Sequence, residues 1–115
     1  MNLTEWSHYC HNAIKKAGWW REDRSVGELT PVKLALIHSE VSEALEGFRK
    51  DLPDDHLKHR KMAEVELADV LIRVFDLAGA WGFDLESTIH EKLAYNMHRV
   101  DHQHAARNSP TGKKF

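Results

Sequence analysis

Glu40 and Glu43 lie three residues apart in HSEVSEALEGFRK, and Glu66 and Asp69 repeat the spacing in EVELADVLIRVFDLAG after 22 intervening residues. On a helix that spacing sets both members of a pair on adjoining positions of one face. Both pairs sit in segments whose apolar residues recur at helical intervals, so they border a core. If the pairs face each other, four carboxylates come within a few ångströms, and at an effective dielectric of 20 each like-charge contact at about 4 Å costs roughly 4 kcal/mol. Such a cluster needs cations. Oxygen-only ligands, with neither cysteine nor histidine, form the set that Mg²⁺ prefers, with Mn²⁺ the alternative. Mg²⁺ rarely sits in an all-protein cage and shares its coordination with waters and substrate phosphates, so the acids predict a phosphorylated substrate.

Other residues could complete such a site. Glu66, Asp69, Arg73 and Asp76 fall within an arc of roughly 80° on a helix, while apolar residues fill the remaining circumference. A helix so apolar is buried on most sides, so the strip looks either at a narrow band of solvent or into a lined cleft. Lys92, Asn96 and Arg99 share one face of a later helix; taken alone this is an ordinary solvated face, but opposite a metal-carboxylate cluster it would hold phosphate oxygens. Trp19 and Trp20 offer either a stacking surface or a hydrophobic anchor for their loop.

The nine histidines invite a transition-metal reading. His8 and His11, or His98 and His102, have helical metal-pair spacing, but no cysteine supports them and the acids form a harder set. A di-iron bundle would want Glu-x-x-His on two helices, and only Glu5 to His8 fits. No His-Asp doublet is present for a phosphohydrolase of that type. The single cysteine, Cys10, lies in register with Trp6 and Ile14 and reads as a core residue.

The elements that must position these groups are helical. Leu3, Trp6, Cys10, Ala13, Ile14 and Ala17 predict a first helix ending at Gly18. A loop from Gly18 to Thr30 leads to a second helix from about Pro31 to Lys50, with Thr30 as cap and Leu34, Ile37, Val41, Ala44, Leu45 and Phe48 as its apolar face. After the charged connector Asp51–Arg60, a third helix runs from about Lys61 to Ala80 and closes at Gly82. Asp84 caps a fourth, carrying Leu85, Ile89, Leu93 and Met97 and reaching about Arg99 or slightly beyond. No segment alternates as a strand does and no internal repeat stands out, so the class is all-α. Residues 1–106 form one domain and 107–115 a mobile tail.

With 115 residues, 16 basic and 18 acidic side chains and a net charge of −2, the chain offers no global field for a nucleic acid polymer or an anionic membrane. No apolar run reaches the roughly 18 residues of a membrane span, and the first residues lack the pattern of a signal peptide, so a cytoplasmic location is expected. A chain this small gains from assembly into a homo-oligomer.

The two acidic pairs, with GWW at Gly18–Trp20, LALIHSEVSEALEGFRK, ELADVLIRVFDLAG, FDLESTIHEKLAYNMHR and the terminal GKKF, resemble the MazG-like all-α nucleoside triphosphate pyrophosphohydrolases, in their compact phage and bacterial branch. The resemblance covers most of the chain. It implies a four- to five-helix bundle completed by dimerisation, or by a tetramer, and Mg²⁺-dependent cleavage of a nucleoside triphosphate to monophosphate and diphosphate. It implies Glu40, Glu43, Glu66 and Asp69 as metal ligands and Arg73, Lys92, Asn96 and Arg99 as phosphate contacts, with Trp19 and Trp20 near the base. Glu40 or Glu43 would also take the proton of the attacking water. The branch leans to purines such as dGTP, with dCTP or dUTP as alternatives. A non-enzymatic alternative is a helical dimerisation module in which buried acids pair with Arg73 and Lys92.

Overall fold

The computed structural model describes residues 1–107, with side chains through residue 99, and it holds four α-helices and no strand among those residues. α1 spans Leu3–Lys16, α2 Val26–Lys50, α3 Met62–Trp81 and α4 Leu85–Arg107. The all-α class is as the periodicity predicts. No helix among the described residues is long and apolar enough to cross a membrane. Of the predicted tail, Arg107 ends α4 and 108–115 lie outside the described residues.

Asn2 starts α1 through a capping box: its side chain accepts from the Glu5 amide at 2.8 Å while the Glu5 carboxylate turns back to the Asn2 amide. α2 begins at Val26, five residues before the predicted Pro31. Ser25 is the cap, accepting from the Glu28 amide at 3.1 Å. Pro31 therefore lies inside the helix, where it withholds one backbone donor. Thr30, the predicted cap, instead donates its hydroxyl to the Val26 carbonyl and receives the Trp81 indole N–H at 2.8 Å.

The connector between α2 and α3 is an ordered loop. Asp54 is buried and its carboxylate accepts from the His56 and Leu57 amides at 3.0 and 2.7 Å, a local turn that holds the carboxyl below its usual range. The Asp54 amide donates to the Arg60 carbonyl and the Met62 amide to the Leu52 carbonyl, so the two arms of the loop close on each other. α3 ends where Gly82 turns left-handed at φ 68°, as its position predicts. Asp84 caps α4, taking the Ser87 amide at 3.1 Å, and the helix continues past the expected Arg99 to Arg107.

α3 is the hub of the unit Met1–Phe83, packing against both α1 and α2. Two glycines allow the approach. A Cβ on Gly79 would stand 2.5 Å from the Ser7 carbonyl oxygen of α1, and one on Gly47 of α2 would stand 2.8 Å from the Met62 side chain. The face that α2 turns inward is accordingly Lys33, Glu40, Ala44 and Gly47, all buried. This corrects the predicted apolar face: the inward face lies about 80° round the helix from it. Leu34, Val41, Leu45 and Phe48 are left exposed, Phe48 to 77%. Close packing of small residues, not leucine content, decides which side faces α3. α4 belongs to a second unit that begins at Asp84.

Candidate metal centre

Glu40 and Glu43 leave α2 one turn apart, and Glu66 leaves α3 toward them. One carboxylate oxygen of each lies within 4.8 Å of the others, with Glu40 buried, Glu66 half-buried and Glu43 exposed. Arg73, two turns along α3, donates its Nε to Glu40 Oε1 at 2.9 Å. Glu66 Oε2 is buried and has no hydrogen-bond partner.

The electrostatics follow from this crowding. Burial, followed by the hydrogen bonds and negative charge of Glu40 and Glu43, pushes the Glu66 carboxyl up to about 8. At Glu40 burial acts in the same direction, but hydrogen bonds from Glu66 and Arg73 and the guanidinium charge outweigh it and hold this carboxyl below its usual range. Asp69 is raised, first by burial and then by Glu40, against the opposing charge of Arg73. The cluster therefore keeps a proton near neutrality, centred on Glu66, because one guanidinium does not neutralise it.

The donor set fits a hard divalent ion. Three carboxylate oxygens converge, Glu66 Oε2 is buried without a partner, and the exposed side at Glu43 leaves room for waters and a ligand. Asp69 stands outside the converging three, but it lines a cavity together with Glu40. Of the four acids read from the sequence, the structure thus gathers three and sets the fourth beside them.

That cavity has a volume of about 380 Å³, within the range of small-molecule sites. Ile14, Leu36, Ile72 and Trp19 form its apolar walls, and Lys33, Glu40, Asp69, Arg73 and Asp76 its polar ones. Asp69, Arg73 and Asp76 of the charged strip of α3 therefore look into a lined cleft, and Glu66 does not line it. The two tryptophans are placed differently. Trp19 is 72% exposed and lines the cavity, whereas Trp20 is buried and donates its indole N–H to Asp76 Oδ1 at 2.7 Å.

Asp76, 2% exposed, anchors a second network that spacing did not reveal. His11 Nδ1 lies 2.9 Å from the same oxygen, and Lys33 Nζ is 3.9 Å from Oδ2. Lys33 also donates to the Trp19 carbonyl at 3.0 Å and lies 4.4 Å from the Trp20 ring centre. Burial pushes the Lys33 ammonium down despite Asp76. A lysine on the inward face beside Glu40, seven residues away, was the available signal for it. Cys10 is buried, and burial and Asp76 push its thiol up, which suits a core residue rather than a nucleophile.

On α4, Lys92 Nζ and the Arg99 guanidinium lie 4.7 and 5.9 Å from the Tyr95 ring centre, and Asn96 Oδ1 is buried without a hydrogen-bond partner. Comparison of the chain with protein-family models, curated proteins and solved structures yields no match.

Proposed function

We propose that the chain is a Mg²⁺-dependent nucleoside triphosphate pyrophosphohydrolase of the MazG-like kind, acting on free nucleotides and assembling as a homodimer or tetramer. The observation that carries this reading is the convergence of Glu40, Glu43 and Glu66, with one buried oxygen left unpartnered, at the edge of a ligand-sized cavity. Bound Mg²⁺ would polarise the phosphate oxygens and lower the pKa of a coordinated water. Glu40, Glu43 and Glu66 would hold the ion, with Asp69 beside them. Glu40 is engaged by Arg73, which leaves Glu43 as the group that accepts the water proton.

The water oxygen bonds to phosphorus and the bridge between the α and β phosphates breaks, so monophosphate and diphosphate separate. Arg73, which lines the cavity, binds phosphoryl oxygens, a task of charge placement. Trp19 supplies a flat surface for the base.

The exposed stripe of Leu34, Val41, Leu45 and Phe48 supports assembly, since monomers seldom leave such a run uncovered. It also favours a second reading, a non-catalytic dimerisation module. Incubation of the eight common ribo- and deoxyribonucleoside triphosphates with Mg²⁺, with products resolved by chromatography, separates the two. The hydrolase yields monophosphate and diphosphate; intact nucleotides, or release of orthophosphate, reject it.

A further inference from the structure

We propose that Lys33 and Asp76 read the base, and that they favour a lactam edge, a ring C=O beside a ring N–H as in guanine, hypoxanthine, uracil and thymine. Bases with an amino group beside a bare ring nitrogen, adenine and cytosine, are disfavoured. The inference rests on the nucleotide-binding reading above and deepens it by naming the substrate class.

Both side chains line the cavity and are largely enclosed, with side-chain exposures of 11% and 4%. Asp76 Oδ1 is filled by Trp20 and His11. Its Oδ2 stands 3.9 Å from Lys33 Nζ, beyond hydrogen-bond length, so the pair is not closed on itself. An ammonium has three N–H groups, and the Trp19 carbonyl at 3.0 Å engages one of them. A strong donor and a strong acceptor thus stand side by side in a cavity whose other walls, Trp19, Ile14, Leu36 and Ile72, suit a flat ring.

A lactam answers both groups at once. Its carbonyl, with two lone pairs, takes the ammonium, and its acidic ring N–H goes to the carboxylate. An amino-bearing edge turned over supplies the same number of bonds, but with a single lone pair on the ring nitrogen and a less acidic N–H. Between charged partners in a desolvated site the stronger match prevails. If Lys33 and Asp76 served only to anchor the tryptophan loop, their loss would lower stability and leave base preference untouched.

The test is calorimetric titration, with EDTA present, of two closely matched pairs of monophosphates: inosine against adenosine, and uridine against cytidine. The expected result is tighter binding of the lactam member of each pair by about tenfold, loss of that advantage on methylating its ring N–H, and near-equal affinities in Lys33→Met. Asp76→Asn provides the same check from the acceptor side. The wild-type arms stand even where a variant fails to fold. Equal binding within each pair, no binding at all, tolerance of ring methylation, or a preference that survives Lys33→Met would overturn the proposal. Selective monophosphate binding by a chain that leaves triphosphates intact supports the base-reading pair while rejecting the hydrolase; cleavage blind to the base overturns the pair and spares the hydrolase.

Discussion

The two acidic centres of this chain lie on the same helix and are treated in opposite ways. Around Asp76 the protein supplies the compensation itself: an indole N–H, an imidazole and an ammonium from three separate segments meet one buried carboxylate. Around Glu66 it supplies more acids. Glu40 and Glu43 crowd the same space, one guanidinium answers them, and an oxygen is left buried without a partner. A compensated buried charge contributes to holding a fold together, whereas an uncompensated group persists when something outside the chain completes it. The contrast separates the part of α3 whose charge the chain itself compensates from the part that the proposed ion would complete.

The largest expected effect breaks the contrast on the catalytic side. Glu43→Gln or Glu66→Gln should lower triphosphate turnover by at least about 100-fold while leaving the thermal midpoint unchanged or raised, because the first removes a crowding charge and the second replaces a carboxyl that is already protonated near neutrality. Steady-state kinetics beside a circular dichroism melt would check this, and a variant as active as the wild type would remove its carboxylate from the ion site. Asp76→Ala should do the reverse to the fold, destabilising it by about 3–5 kcal/mol in urea titration, since Lys33 would be left buried beside no counter-charge. Glu66→Ala should cost far less in the absence of metal.

A smaller effect concerns the contact that carries His11 to Asp76. Gly79→Ala sets its methyl 2.5 Å from the Ser7 carbonyl oxygen and 2.7 Å from the His11 Cβ and should destabilise by about 1–3 kcal/mol; Gly47→Ala sets its own 2.8 Å from the Met62 Cβ and Cγ, a slightly looser clash that should cost less. Equal losses in denaturant titrations of the two would contradict that ranking. The smallest effect is pH-dependent. Glu66 is raised in the folded chain, so its protonated form favours the native state; that contribution is complete below the ordinary carboxylate range and is lost as pH rises toward about 8. The metal-free melting midpoint should therefore fall over that interval. Mg²⁺ replaces the proton, so it should raise the midpoint more at about pH 9 than at about pH 5.5.

Much of this was legible in the chain, and the misses share a cause. Helix content, the left-handed stop at Gly82 and the carboxylate spacing are local properties, and spacing carries them. The start of α2 was misread although Ser25 and Glu28 spell a cap, because Thr30-Pro31 spells one too and a proline inside a helix costs it a backbone hydrogen bond. The inward face of α2 was misplaced because leucines suggest a core, while Ala44 and Gly47, which let two helices approach, carry little hydrophobic signal. Lys33 and His11 escaped notice as partners of Asp76 because charged residues are ordinarily exposed, and their pairing depends on how three segments cross. The same crossing brings Glu66, but not Asp69, into the converging set.

Titration of Mn²⁺ followed by electron paramagnetic resonance, in the wild type and in Glu66→Gln, tests the ion site most directly. The account predicts saturable binding in the wild type that weakens by at least about tenfold in the variant. Equal binding in both, or none in the wild type, would contradict it.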